Sequence, residues 1–201
     1  MPRKARKFID FPGTLYHIVV RGNNQRRIFR RGRDYKKFLK ILKQVKREYP
    51  FYLYAYNLLP NHFHLIIERR RISISKIMGR INSLYAQYFN RYYKRSGHLF
   101  QGRFYSSVID KEKYFWAAAR YVDLNAVRAG LVKRPEDYPW SSYLVYYQKY
   151  YNGDLIDRER FLGYVEGDIE EARLKYLEFV QEGIDADATE NLGFTKDKNM
   201  I

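Results

Sequence analysis

The 201-residue chain has no cysteine and a formal net charge of +16, with 46% hydrophobic residues. Such a composition supplies a real core and excludes both disulfides and thiolate metal sites, so any bound ion must use His, carboxylate, amide or water ligands. The charge is one-sided: residues 1–103 hold 25 Lys and Arg against 4 Asp and Glu, and residues 104–201 hold 13 against 18, which points the first half at a polyanion such as nucleic acid.

The basic start MPRKARKF runs into IDFPG, where Asp10, Pro12 and Gly13 interrupt any signal-peptide core, and no long apolar span follows. The expected location is cytoplasmic, without a membrane partner. GTLYHIVVRGNN (13–24) reads as a first strand closed by a Gly-Asn turn. From Asp34, a candidate N-cap, Phe38, Leu39, Ile41, Leu42 and Val45 recur at helical spacing until Pro50. FYLYAYNLL (51–59) and HFHLIIE (62–68), separated by Pro60 and Asn61, predict an antiparallel hairpin in the middle of the sheet. A helix is expected over 73–94, loop and strand over 95–109, and a third helix over 111–125.

This order of elements predicts an α+β fold, a ferredoxin-like antiparallel sheet flanked by helices. Beyond Trp140 the chain turns acidic, and DIEEARLKYLEFVQEG (168–183) reads as an amphipathic helix opened by a capping box of Asp168 and Glu171. The expected organisation is a main domain over 1–150, a C-terminal helical extension over 151–183 and a mobile tail over 184–201.

Two of the four histidines stand at 62 and 64. In a strand, residues i and i+2 leave the same face about 6.6 Å apart, so the pair presents two imidazoles side by side while Phe63 enters the opposite layer. That is a metal-ligand geometry, and two strand histidines meeting backbone carbonyls is the competing reading. A third ligand beside a reactive group would decide between them. With a phosphate-rich partner implied by charge, tyrosine is the abundant nucleophile, and a helix places residues i and i+4 on one face. Tyr121 and Asn125 in AAARYVDLNAVRAG fit that spacing, as would a packed structural tyrosine beside the stripe of Phe115, Ala119, Val122 and Ala126. His17, in the first strand, could border the site, but a satisfied sheet histidine is the expectation; His98, in a Gly-flanked loop, is a candidate for contacting DNA or for capping structure, and neither enters the metal set.

The segments LPNHFHLI, RSGHLFQGRF, YVDLNAVRAG and WSSY, in this order, resemble the single-tyrosine transposases of the HUH endonuclease superfamily, most closely the REP-associated tyrosine transposases, from about Leu15 to Gly183. The resemblance implies that residues 1–150 form the catalytic domain, that His62 and His64 bind Mg²⁺ or Mn²⁺, that Asn125 is the third protein ligand where some relatives have Gln, and that Tyr121 is the nucleophile. It further implies cleavage and rejoining of single-stranded, hairpin-forming DNA through a 5′-phosphotyrosine intermediate, by a monomer or a homodimer. A hairpin-binding protein of DNA or RNA that keeps the fold without cleaving is the alternative. Arg26, Arg27, Arg30 and Arg31, with Arg33 beside them, and Arg69, Arg70 and Arg71 form two basic clusters expected to contact DNA phosphates; Gln101 and Arg103 join them through the GHLFQGRF segment. Tyr92, Tyr93, Phe100 and Phe104 are candidates for stacking on unpaired bases.

Overall fold

The computed structural model describes residues 10–165 and 167–185. The basic start and all of the expected tail beyond residue 185 lie outside these residues. The strands β1 (Leu15–Arg21), β2 (Phe51–Leu59), β3 (His62–Arg69) and β4 (Tyr105–Ile109) alternate with α1 (Gly32–Glu48), α2 (Ile74–Tyr92) and α3 (Lys111–Asp123). The chain continues through α4 (Asn125–Arg128), α5 (Tyr143–Tyr147), α6 (Arg158–Leu162) and α7 (Ile169–Asp185). Among the described residues the strands form one four-stranded sheet in the order β2-β3-β1-β4, antiparallel throughout, which is the ferredoxin-like arrangement.

Only one arm of the hairpin is central. β3 lies between β1 and β2, and β2 is an edge strand. Its outer rim is covered by the chain after the short turn at Pro135–Asp137: Ser142 N donates to Tyr56 O at 2.9 Å, Leu58 N to Trp140 O at 3.0 Å and the Tyr138 hydroxyl to Leu58 O at 2.7 Å. The unpaired groups of the edge are thereby satisfied within the chain.

Local chemistry sets the helix ends. Ser73 Oγ accepts Lys76 N at 3.3 Å and opens α2. Asp34 is not the N-cap of α1: the helix already begins at Gly32, and the buried Asp34 carboxylate reaches back to accept Arg30 N at 2.8 Å and Arg31 N at 3.0 Å. Tyr88 and Tyr93 of the α2 end donate to the same carboxylate at 2.8 Å each, tying α1 to α2. Asp168 Oδ1 accepts Glu170 N and Glu171 N at the start of α7.

α1 and α2 cover one face of the sheet, where Phe63 packs against Phe38 with ring centroids 4.5 Å apart. α3 covers the other, against β2 and β3. A bulge in β2 decides what α3 meets. The register slips between Leu53 and Ala55, and the extra residue, Tyr54, shifts the alternation so that Ala55, Asn57 and Leu59 share the face of Ile66, His64 and His62. If the alternation ran unbroken through Tyr54, Asn57 would point toward α1. α7 packs on α3 and α5, with Tyr176 and Tyr146 fully buried between them. Among the described residues no helix is long and apolar enough to cross a membrane.

Candidate active site

β3 opens with His62, and alternation carries His62 and His64 to the α3 side. Their ring centroids are 5.0 Å apart at 71°. Each ring is held by its Nδ1. That of His62 donates to Asn61 Oδ1 at 2.7 Å, and that of His64 meets His17 Nε2 at 2.9 Å. Burial, then the cation of Arg21 across the strand pair, lowers the His62 pKa to about 4. Burial also takes His64 well below the usual imidazole range, with His62, His17 and Arg21 adding to it. Both rings are therefore neutral at neutral pH, the state in which an imidazole can ligate.

The phenol comes from α3. Tyr121 is half-buried, its ring edge-on to His64 with centroids 6.0 Å apart and to His17 at 5.6 Å. His17 thus borders the site, the reading that the sequence ranked second to a satisfied sheet histidine. Arg128 lies over the Tyr121 ring, its guanidinium carbon 5.0 Å from the centroid, and also donates to the Tyr121 carbonyl at 3.3 Å. Burial raises the phenol pKa above its ordinary value, and Arg128 opposes that rise.

Asn125 is not on the same continuous helix as Tyr121. α3 ends at Asp123, Leu124 takes φ −82° and ψ −3°, and Asn125 begins α4. Side-chain amides hold the break: Asn57 Nδ2 donates to Val122 O at 2.9 Å and Asp123 O at 3.3 Å, and Asn125 Nδ2 to Tyr121 O at 2.7 Å. They satisfy carbonyls that a continued helix would give to backbone N–H groups. The Asp123 side chain turns inward, accepting the Tyr176 hydroxyl at 2.7 Å and the Ser142 hydroxyl at 3.3 Å, and burial raises its pKa to about 7. Asn125 keeps its spacing to Tyr121 through the 2.7 Å bond from Nδ2, so Oδ1 is the atom of this amide that could ligate an ion.

Among the described residues no group of three or more His, Asp or Glu side chains is placed to hold a metal ion. Glu68, the carboxylate of the histidine strand, accepts the Tyr54 hydroxyl at 2.5 Å and Arg160 at 3.2 Å. Yet His64 Nε2 is buried with no hydrogen-bond partner. An orphaned imidazole nitrogen is unfavourable inside a protein, and a cation would satisfy it. Two neutral imidazoles and an amide oxygen fit a divalent ion whose remaining positions are filled by oxygen ligands from substrate or water.

The model of the family described as "Transposase IS200 like" matches residues 11–125, a span that includes both histidines, Tyr121 and Asn125. The chain belongs to the IS200-like transposases. A solved REP-associated tyrosine transposase bound to a REP hairpin shares the transposase's fold, with a TM-score of 0.61 and 22% identity over 78% of this chain and 93% of that one. A candidate transposase of Deinococcus radiodurans R1 is similar at 12% identity over 68% of this chain and 97% of that one, with a TM-score of 0.42 too low to bear on the argument. A search of curated proteins returns no match.

The basic candidates of the transposase divide by exposure. Arg26, Arg27, Arg30, Arg31 and Arg33 are exposed around the start of α1, with Arg30 over the Tyr93 ring at 4.6 Å and Arg33 over Tyr92 at 4.9 Å. Arg70 and Arg71 are exposed after β3, Arg70 over Tyr52. Arg69 is turned inward instead: 6% exposed, it pairs with Asp10 at 2.9 Å and donates to the Asp10 and Arg71 carbonyls, so its charge serves the chain's own N-terminal segment. Gln101 and Arg103 are exposed in the loop before β4, which follows the end of β1 through Gln101 N to Arg21 O at 3.0 Å, beside His62's cross-strand partner. Phe104 is buried and Tyr92 is exposed.

Sequence reasoning missed three residues at this site: Arg21, Asn57 and Arg128. Arg21 and Asn57 are legible only once strand pairing is known, because they face His62 and His64 from neighbouring strands. Arg128, seven residues after Tyr121, carries the spacing of two helical turns, which could have marked it.

Proposed function

We propose that this IS200-like transposase cleaves and rejoins single-stranded, hairpin-forming DNA through a covalent link to Tyr121. The observation that supports the reading most directly is the meeting of the Tyr121 ring with His64, at 6.0 Å between centroids, while His62 lies 5.0 Å from His64, all within one chain. In the forward step Tyr121 Oη attacks a backbone phosphorus, the bond from phosphorus to the 3′ oxygen breaks, and the departing strand leaves with a 3′-hydroxyl. The downstream strand stays bonded to the phenolic oxygen through its 5′-phosphate, and the phenolic proton is released. In the return step a 3′-hydroxyl attacks that phosphate and the phenoxide departs, so one phosphodiester replaces another without an external energy source.

Each neighbour has a part in that sequence. Arg128, 5.0 Å over the ring, favours the phenoxide that burial disfavours. Asn57 holds the end of α3, and with it the angle at which the phenol leaves the helix. His62 Nε2, His64 Nε2 and Asn125 Oδ1 would hold Mg²⁺ or Mn²⁺, which when bound supplies the charge that polarises a non-bridging phosphate oxygen. The exposed arginines before α1 and after β3, with Gln101 and Arg103, would hold the phosphate backbone. A hairpin as substrate draws support from the similar transposase solved with one bound.

The test is a denaturing gel with hairpin DNA labelled at its 3′ end, with Mn²⁺ or Mg²⁺. The wild type is expected to retain label in a protein band, and Tyr121→Phe to retain none. Adduct persisting in Tyr121→Phe would remove Tyr121 from the reaction. Tight hairpin binding with no adduct, indifferent to His62→Ala and His64→Ala, would favour the non-cleaving binding protein.

A further inference from the structure

The two imidazoles of the site are fixed by different means. His62 has its proton placed by the preceding residue, since Asn61 Oδ1 can only accept and the His62 Nδ1 must donate across the 2.7 Å contact. His64 has no comparable sequence neighbour. Its Nδ1 meets His17 Nε2 at 2.9 Å, from a residue 47 positions earlier on β1. The two rings lie 9° from parallel, and both are almost wholly buried, at 4% and 1% exposure.

A contact of this length between two neutral ring nitrogens carries one proton, and there are two ways to place it. With the proton on His17, His64 accepts at Nδ1 and carries its own proton on Nε2, an N–H buried without an acceptor. With the proton on His64 Nδ1, the Nε2 holds a lone pair. Either placement leaves one N–H in the buried pair, on His64 Nε2 or on His17 Nδ1, so burial does not choose between them; a cation does, because a protonated nitrogen cannot ligate and only the second placement leaves His64 Nε2 its lone pair. The same His17 ring stands edge-on to Tyr121 at 78°. It therefore touches one proposed ligand and the proposed nucleophile together.

Resting on the reading of the site given above, we infer that His17 is a positioning residue, which accepts the Nδ1 proton of His64 and so keeps the His64 Nε2 lone pair available to a divalent cation. His17 does not itself ligate or react. A polar side chain that can accept at this position should preserve the function, and an apolar ring of similar size should not.

Two readouts test it. Long-range ¹H–¹⁵N spectra of the full chain at neutral pH with saturating Mg²⁺, with His64 assigned by comparison with His64→Ala, report the tautomer directly. Wild type and His17→Gln are expected to show His64 protonated at Nδ1, and His17→Phe to show protonation at Nε2 or a mixture. Titration with Mn²⁺ alone, followed by electron paramagnetic resonance, is expected to show about 10- to 100-fold weaker binding for His17→Phe and near-wild-type binding for His17→Gln. His64 protonated at Nε2 in the wild type overturns the role even if no variant folds. So does a folded His17→Phe with unchanged tautomer and Mn²⁺ affinity. A wild type that binds no Mn²⁺ while His64 is protonated at Nδ1 overturns the metal reading, and the role of His17 toward a cation falls with it; the tautomer separates that failure from the others.

Discussion

The face of the sheet under α1 and α2 buries Tyr16, Ile18, Val20, Phe63, Leu65 and Ile67, whereas the face under α3 buries His17, Asn57, His64 and Glu68 among its apolar neighbours. On the first face the buried carboxylate of Asp34 is met by two backbone N–H groups and two tyrosine hydroxyls. On the second, His64 Nε2 and Asn57 Oδ1 are buried without hydrogen-bond partners. Both faces come from the same strands, one residue out of phase. The apolar face stabilises the sheet and its buried carboxylate is paired, whereas the polar face keeps buried polar atoms that the fold leaves without hydrogen-bond partners.

The comparison can be broken first on the apolar side. Phe63→Ala, between the two histidines, should cost about 3–5 kcal/mol in a denaturant melt, since it empties a site packed by Phe29, Phe38 and Phe100. A loss under about 1 kcal/mol would mean that this face is not the stabilising one. Next comes the buried acid behind the site. The Asp123 pKa is raised in the folded state from its ordinary 3.8 to about 7, so the protonated form is favoured by folding. Its contribution is fully present below about pH 4 and is lost as pH rises through about 7. Asp123→Asn does not titrate and should gain stability relative to wild type across that window, on the order of 4 kcal/mol, as read from melts at several pH values.

Asn57→Ala should cost about 1–3 kcal/mol by leaving the Val122 and Asp123 carbonyls without that donor. It should also slow adduct formation more than it weakens hairpin binding; an unchanged adduct rate would show that the end of α3 needs no such anchor. The smallest effect is expected at the rim. Arg70→Ala should leave the melting temperature within error and lower the salt dependence of hairpin binding by roughly 0.7 in slope, the release expected for one single-strand phosphate contact. Arg69→Ala should instead destabilise the fold, because that guanidinium pairs with Asp10 inside the protein.

Local pattern carried much of this protein. The alternation in HFHLIIE placed two imidazoles on one face and Phe63 on the other, and the order of elements gave the ferredoxin-like sheet. These follow from periods of 2.0 and 3.6 residues, which are properties of short segments and need no knowledge of the rest of the chain. The position of β2 at the edge, the inward turn of Arg69 and the helix break at Leu124 were beyond such patterns.

What the tertiary structure alone decided are the contacts between distant segments. The bulge at Tyr54 turns Asn57 toward α3, where it meets the Val122 carbonyl 65 residues away, and β1 brings His17 to His64 across 47. A sequence read locally contains the donors and acceptors but not their pairing, because strand register and helix docking are set by the burial of the whole apolar set at once, and only that collective choice determines which polar atoms are left facing one another.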